Sequence, residues 1–307
     1  MNKFLHQFRV VAEQKNLTAA SQLLHLSQPA LTKNIKKVEE EFGVPLFERL
    51  PRGMLLTPFG EALLHRVKRM EMEYRYAHEE VSALQSGATA SLNIGSGPVW
   101  ALNYLPDILS QLYQRFPKLS VKLESGSMSV LLPKLASGEL DLALGTQEVD
   151  EQLSDELKYI HMIDVDLIVV ARRNHPLAHQ ATVSAEEVSR YRWVLFMQSL
   201  DQIKQYNHFF LQHGLPPIDI CLQSDYWTTA LAMLHQGDYL MSMPKQLLQQ
   251  AMDNGLVQIA FVQKIWGFSS GIWYAPTARS LPAVNEFINF MIRDVRDADP
   301  TNGTARK

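Results

Sequence analysis

The sequence predicts a composite fold: a small all-α-type head, one long helix, and an α/β body of two lobes. Three observations predict it. Residues 1–60 carry three short helical patterns and a local excess of positive charge. Apolar residues then recur every three or four positions from Leu63 to Leu84. From Leu92 onward, short apolar runs alternate with helical patterns for about 200 residues, the texture of α/β units. At 307 residues the chain exceeds what one ordinary core organises, so several units are expected.

In the head, Leu5, Phe8, Val11 and Ala12 give a first helix its apolar stripe. Thr18 can cap a second, short helix that turns Ala19, Ala20, Leu23 and Leu24 inward. Leu26 lies in the turn, and Ser27 caps a third helix with Pro29 in its first turn. Along that helix Leu31, Ile35, Val38 and Phe42 repeat at helical spacing and face the core. Gln28, Thr32, Lys33, Lys36 and Lys37 are left on its other faces, and Gly43 ends it as a left-handed cap. Pro45 to Leu56 reads as two short strands joined by a basic turn through Arg49 and Arg52, which is a wing.

Thr57-Pro58 starts the next helix, a cap followed by proline at its first position. Leu63, Val67, Met70, Tyr74, Ala77, Val81 and Leu84 recur at steps of four and three. Sustained over three heptads, that period is a coiled-coil seam and implies pairing of two chains. Ser86 to Ser91 is small and polar, and reads as a hinge. In the body, Ser91–Gly95, Val121–Glu124, Leu140–Leu144, Asp166–Ala171, Trp193–Phe196, Ile220–Leu222 and Tyr239–Met243 read as strands. Helices are expected over Leu102–Phe116, Ser129–Ala136 and Trp227–His235, and the alternation predicts parallel sheets with right-handed crossovers. Two such lobes enclose a cleft at strand C-terminal ends, where small molecules bind.

Composition narrows the function. The chain is 46% hydrophobic and 20% charged, and no apolar run reaches the length of a membrane span. Its N-terminus lacks a signal-peptide apolar stretch, and Cys221 as sole cysteine fits a reducing compartment, so a cytoplasmic protein is expected. Residues 1–60 hold eight Lys/Arg against five Asp/Glu, a surplus of three positive charges; with −3 overall, the remainder carries −6. A basic head on an acidic body suits docking on DNA by one end. Enzyme readings fare poorly. Ser242-Met243-Pro244-Lys245 matches the Ser-x-x-Lys spacing of penicillin-recognising hydrolases, but Pro244 interrupts the helix that motif needs. No Cys-x-x-Cys spacing supports a metal, and neither cofactor nor metal is expected.

These residues together resemble the LysR-type transcriptional regulators. The resemblance rests on Ala19-Ala20-x-x-Leu23, Leu26-Ser27-Gln28-Pro29-Ala30-Leu31-Thr32, Ile35-x-x-x-Glu39, Gly43-Val44-Pro45-Leu46-Phe47-Glu48-Arg49 and Leu56-Thr57-Pro58-x-Gly60-Glu61. Leu119-Ser120-Val121, Gly138-Glu139-Leu140-Asp141-Leu142-Ala143 and His175-Pro176-Leu177 agree more loosely downstream. The resemblance implies a winged helix-turn-helix over residues 1–58, a linker helix over 59–86 and a hinge at 87–91. A type 2 periplasmic-binding-protein-like effector domain follows, with one lobe over 92–163 and 269–296 and the second over 164–268. A disordered tail over 297–307 closes the chain. It also implies a bacterial, nucleoid-associated protein that forms homodimers or homotetramers, takes a small-molecule effector, and works beside RNA polymerase at double-stranded promoter DNA, with no membrane partner.

The candidate residues follow from helix geometry and chemistry. The third helix enters the major groove by its N-terminal end. There Ser27 caps, the Gln28 amide can pair with adenine, and Pro29 and Ala30 can touch a thymine methyl. Thr32, Lys33 and Lys36 reach base or phosphate, and Arg49 and Arg52 on the wing suit a narrow minor groove. Dimerisation falls to Leu63, Val67, Met70, Tyr74, Ala77 and Val81. In the cleft, loops after strands supply Ser96, Val99, Trp100, Ser127, Ser129, Met197, Gln198, Tyr226 and Trp227. Hydroxyls and helix N-termini favour a carboxylate or other anion, and the aromatic residues hint at a planar one. Two rivals share parts of this pattern: a solute-binding-type ligand sensor, and a DNA-binding protein without effector response.

Overall fold

The computed structural model describes residues 2–50, 53–86, 91–147, 156–196, 200–263 and 265–297. The head comprises α1 (Lys3–Gln14), α2 (Leu17–Leu23), α3 (Gln28–Phe42) and the antiparallel pair β1 (Phe47–Leu50) and β2 (Gly53–Leu56). Phe8, Val11, Ala20, Leu31, Ile35, Val38 and Leu46 form its core. Asn16, not Thr18, caps α2, because its side chain accepts the Thr18 and Ala19 amides. Leu23 is 62% exposed rather than inward, since the helix is only two turns long and ends there. Ser27 caps α3 as expected, accepting the Ala30 amide at 3.4 Å, and Gly43 ends it at φ +69°.

The wing is fastened to α3 by Glu39, whose carboxylate accepts the Leu46 and Phe47 amides at 2.9 and 3.4 Å. Thr57 secures the other end. Its hydroxyl donates to the Pro45 carbonyl at 2.8 Å and accepts the Gly60 amide at 3.1 Å. Gly60 is required by crowding, because a Cβ there would sit 2.2 Å from the Leu46 carbonyl oxygen. From this corner α4 (Pro58–Ser86) runs to the body.

The body contains β3 (Ser91–Ser96), α5 (Leu105–Arg115), β4 (Ser120–Ser125), α6 (Met128–Ala136), β5 (Leu142–Thr146), β6 (Lys158–Arg172) and α7 (Ala185–Ser189). It continues through β7 (Arg192–Phe196), α8 (Leu200–Gln212), β8 (Asp219–Ser224), α9 (Trp227–Gln236) and β9 (Tyr239–Pro244). The last elements are α10 (Leu248–Asp253), β10 (Leu256–Gln258), β11 (Gly267–Tyr274) and α11 (Pro282–Met291). Strand order is β4-β3-β5-β11-β6-β9-β7-β8, with β10 also on β6.

The sheets are mixed, not purely parallel. β3 runs parallel to β4 and β5, and β7 to β8 and β9. The strands that carry the chain between lobes, β6 and β11, join antiparallel, because they enter each sheet from the opposite end. The strand expected at 166–171 is the second half of β6, a 15-residue strand whose first half belongs to lobe 1. The boundary expected at residue 163 therefore falls inside it. Separate cores form on either side of the crossing: Leu92, Ile94, Leu142, Met162 and Phe287 in lobe 1; Val169, Trp193, Leu195, Tyr206 and Phe210 in lobe 2.

Candidate nucleic-acid interface and ligand cleft

The exposed end of α3 presents Ser27, Gln28, Pro29 and Lys33 to solvent, with Ala30 and Thr32 half-buried beside them. Proline in the first turn forfeits no helical hydrogen bond, and the stripe Leu31, Ile35, Val38 anchors the helix from below. Gln28 points its amide nitrogen 3.4 Å from the Thr18 hydroxyl on α2, the first helix of the turn. The Thr32 hydroxyl donates to the Gln28 carbonyl at 2.9 Å. Lys36 lies 3.6 Å from Glu40 with both ends exposed, an arrangement worth a few tenths of a kcal/mol (~0.3–0.5) that a phosphate readily displaces. The Lys37 ammonium sits 5.1 Å from the centre of the Phe4 ring. Arg49 is in β1, and Arg52 lies outside the described residues.

The expected dimerisation residues divide along α4. Val67 is buried and Leu63 half-buried in the head core. Met70, Tyr74 and Val81 are 50%, 56% and 54% exposed, and Ala77 is exposed between them. Apolar side chains in an unbroken helical stripe facing water need a second surface.

In the body, strand register sets the cleft. Ser96 pairs with Ser125 and Leu144, so β3, β4 and β5 end on one edge of lobe 1. Phe196 pairs with Ser224, so β7 and β8 end together in lobe 2. Ser127 and Ser129 are exposed at the start of α6, and their hydroxyls lie 2.9 Å apart. Ser127 holds the cap position without bonding a helix amide. Tyr226 is 74% exposed, while Trp227 is half-buried against Phe196 with ring centres 5.1 Å apart. Met197 and Gln198 lie outside the described residues.

Three candidates prove interior. Trp100 is fully buried, donates its indole N–H to the Ser270 hydroxyl at 2.9 Å, and packs on Tyr104. Val99 is buried with it, and Ser96 is enclosed at the end of β3. Trp100 opens a helical turn, Trp100–Tyr104, that packs into the lobe 1 core. Trp100 therefore supports the crossing strand β11 rather than facing the opening.

A cavity of about 290 Å³ opens at the crossing of the lobes, lined by Thr146, Gln147, Gly267, Phe268 and Ser269. None of these was expected from sequence. The rule that strand ends and the loops after them line such a cleft identifies Thr146, which ends β5, and Gln147, which follows it. The β11 residues give no such signal, because they belong to the return crossing. Ser269 donates to the Asp164 carboxylate at 2.8 Å, and His161 stands 3.0 Å from the same oxygen. None of the five residues lining the cavity is Lys or Arg; they offer backbone amides, hydroxyls and the Gln147 side-chain amide.

The features weighed for other chemistry have structural explanations. Ser242 is buried in β9, and Lys245 lies beyond the strand end at Pro244. The Cys221 thiol donates to the Trp193 carbonyl at 3.3 Å, and burial raises its pKa, which disfavours the reactive thiolate. Among the described residues no cluster of three His, Cys, Asp or Glu could hold a metal, and no helix is long and apolar enough to cross a membrane.

Two family models match the chain: the LysR substrate binding domain over residues 85–296, and the bacterial regulatory helix-turn-helix protein, lysR family, over residues 3–61. The transcriptional regulator YybE of Bacillus subtilis strain 168, itself described as uncharacterized, is 28% identical over 76% of this chain and 78% of its own. Full-length OxyR from Pseudomonas aeruginosa superposes with a TM-score of 0.70 at 19% identity, covering 97% of this chain and 98% of that one. Full-length CbnR in complex with its target DNA gives a TM-score of 0.63 at 19% identity, covering 95% and 98%. At such identities the likeness establishes the fold.

Proposed function

The chain belongs to the LysR family of transcriptional regulators, and on that premise we propose that it binds promoter DNA as a dimer or tetramer under control of a small anionic or aromatic metabolite held between its lobes. The observation that carries the DNA part is the free N-terminal end of α3, with Gln28 and Lys33 exposed beside a wing fixed by Glu39. CbnR, a structural neighbour, is solved on its target DNA, which supports the same use of this head.

For the effector, the cavity at the lobe crossing and the paired hydroxyls of Ser127 and Ser129 at the start of α6 support a carboxylate or similar anion. Tyr226 and Trp227 support a planar group in the opposite lobe. Closure on the effector shifts the population between lobe arrangements and so the spacing of the heads on DNA, where the assembly meets RNA polymerase. The exposed stripe of α4 supports assembly through paired linker helices.

A thermal-shift screen of the full-length protein against small carboxylates and aromatic acids tests the effector reading. Ligand at a hundred times its Kd adds roughly 2.7 kcal/mol by mass action, enough to raise the melting temperature measurably. A uniform lack of shift across both classes, with specific DNA binding intact, points to the effector-independent regulator instead.

A further inference from the structure

The contact between the start of α1 and the third turn of α3 takes no part in either site above. The Asn2 side chain accepts the Phe4 amide at 2.9 Å and fixes the first turn of α1. Phe4 itself is half-buried and packs against the head core. One turn further along α1, the Gln7 side-chain carbonyl accepts the Asn34 side-chain amide at 2.9 Å. The two helices therefore cross with Gln7 opposite Asn34 and Phe4 opposite Lys37. Buried Phe8, Val11, Leu31 and Ile35 hold that register from beneath.

Two ammonium groups meet the Phe4 ring. Lys3 lies 5.2 Å and Lys37 5.1 Å from its centre, inside the range of about 6 Å over which the negative face of an aromatic ring attracts a cation. Both lysines are exposed. A carboxylate partner, such as Glu40 beside Lys36, offsets the charge it holds. A ring restrains an ammonium and leaves its charge whole, with N–H donors still open to another acceptor. Two like charges drawn to one ring also repel each other, and an anion that touches both relieves the repulsion. The pair is continuous with the recognition helix, since Pro29, Lys33 and Lys37 recur at steps of four as one exposed stripe of α3. At 1.5 Å per residue, Lys37 stands roughly 12 Å along the helix from Pro29. The major groove is only about 8.5 Å deep, so a helix that enters by its N-terminal end brings Lys37 level with phosphates rather than base edges.

We propose that Phe4 is a positioning residue that holds Lys3 and Lys37 as a two-cation clamp on one phosphate backbone of bound DNA, beside the groove that α3 enters. The clamp rests on the DNA-binding reading above and adds to it residues from α1, a helix outside the helix-turn-helix itself. Lysines already restrained by the ring lose less side-chain freedom when they meet phosphate, so the charge is delivered at lower entropic cost. Its contribution is independent of sequence: it orients the head on the duplex, while Gln28 and its neighbours carry the base preference.

Binding of the purified full-length protein to one specific and one unrelated DNA fragment, titrated with salt, tests the clamp; any purification tag belongs at the C-terminus, away from α1. Log affinity falls against log salt with a slope of about 0.9 for each phosphate neutralised. Lys3→Gln with Lys37→Gln, two exposed positions, is expected to flatten that slope by roughly 2 on both fragments and to leave the ratio between them unchanged. Phe4→Leu keeps an apolar side chain against the core and removes the ring. It is expected to weaken binding to both fragments about 2- to 5-fold, and Phe4→Tyr is expected to restore it. A wild-type slope in the lysine double variant overturns the proposal. So does wild-type affinity in Phe4→Leu, or a loss there that Phe4→Tyr fails to restore. Because backbone contacts carry no sequence information, the unrelated fragment judges the clamp by itself, and preference for the specific fragment judges the regulator reading separately.

Discussion

At the scale of single residues, the side chains proposed to read DNA are separable from those that hold the helix in place. Gln28 is exposed and held only by one long contact to Thr18, so Gln28→Ala is expected to weaken specific binding by about 1–3 kcal/mol and to relax preference at one base pair. Lys33→Ala should instead weaken all sequences alike and lower the salt slope by about 1, read from gel shifts at several salt concentrations. Gly60 holds its neighbours: Gly60→Ala drives a Cβ into the Leu46 carbonyl and should lower the head's stability in a denaturant melt by about 1–3 kcal/mol. His175 gives a pH effect. It is buried, its Nδ1 accepts the Leu177 amide at 3.1 Å, and it packs on Tyr191. Burial lowers its pKa below the ordinary 6.5, with Asp238 opposing and Arg172 adding to the shift. Because the unfolded chain takes the proton more readily, this contribution to stability is full above pH 6.5 and is lost as pH falls below it. Equal melting temperatures at pH 7.5 and 5.5 in wild type and His175→Ala alike would contradict it. Cap and core positions such as Ser27, Leu31 and Gly43 were legible because local rules decide them. Trp100 was not, since only the tertiary packing of its helical turn against lobe 1 determines whether the ring faces the cleft or the core.

At the scale of elements, α4 carries the account. Its apolar period was legible from spacing alone, and the structure assigns that stripe two uses: Leu63 and Val67 close the head core, and Met70 to Val81 stay exposed. The opposite stripe escaped notice because half of it is charged; a face of His65, Lys68, Arg69 and Arg75 looks solvated until the carboxylates of lobe 1 meet it. Met70→Asp with Tyr74→Asp should therefore reduce the assembly to a smaller species in light scattering while leaving the circular dichroism of the chain unchanged. Unchanged mass in the double variant would remove the stripe from the interface. The wing shows the same limit of sequence reading: two strands and a basic turn were legible, but Glu39 as their anchor was not, because its hydrogen bonds run to backbone amides seven and eight residues away.

At the scale of the whole molecule, a basic helical head, a long linker helix and a two-lobed body follow one another along the chain. The alternation of strands and helices was enough to predict two lobes. Mixed sheet direction was not legible, because it arises from β6 and β11 passing between lobes, and a single strand's sequence does not reveal which sheet each half joins. The cavity lies beside those crossings, between the end of β5 and the first residues of β11. The central claim is that this molecule recognises a particular promoter sequence through its head. The most direct measurement is a footprint and gel shift of the purified full-length protein on the DNA upstream of its own gene, titrated with salt. The account predicts protection of one defined segment containing an inverted repeat, with log affinity falling linearly against log salt and preference over unrelated DNA of about 10³-fold or more. Equal, unprotected binding to every fragment, or no binding at low salt, would contradict it.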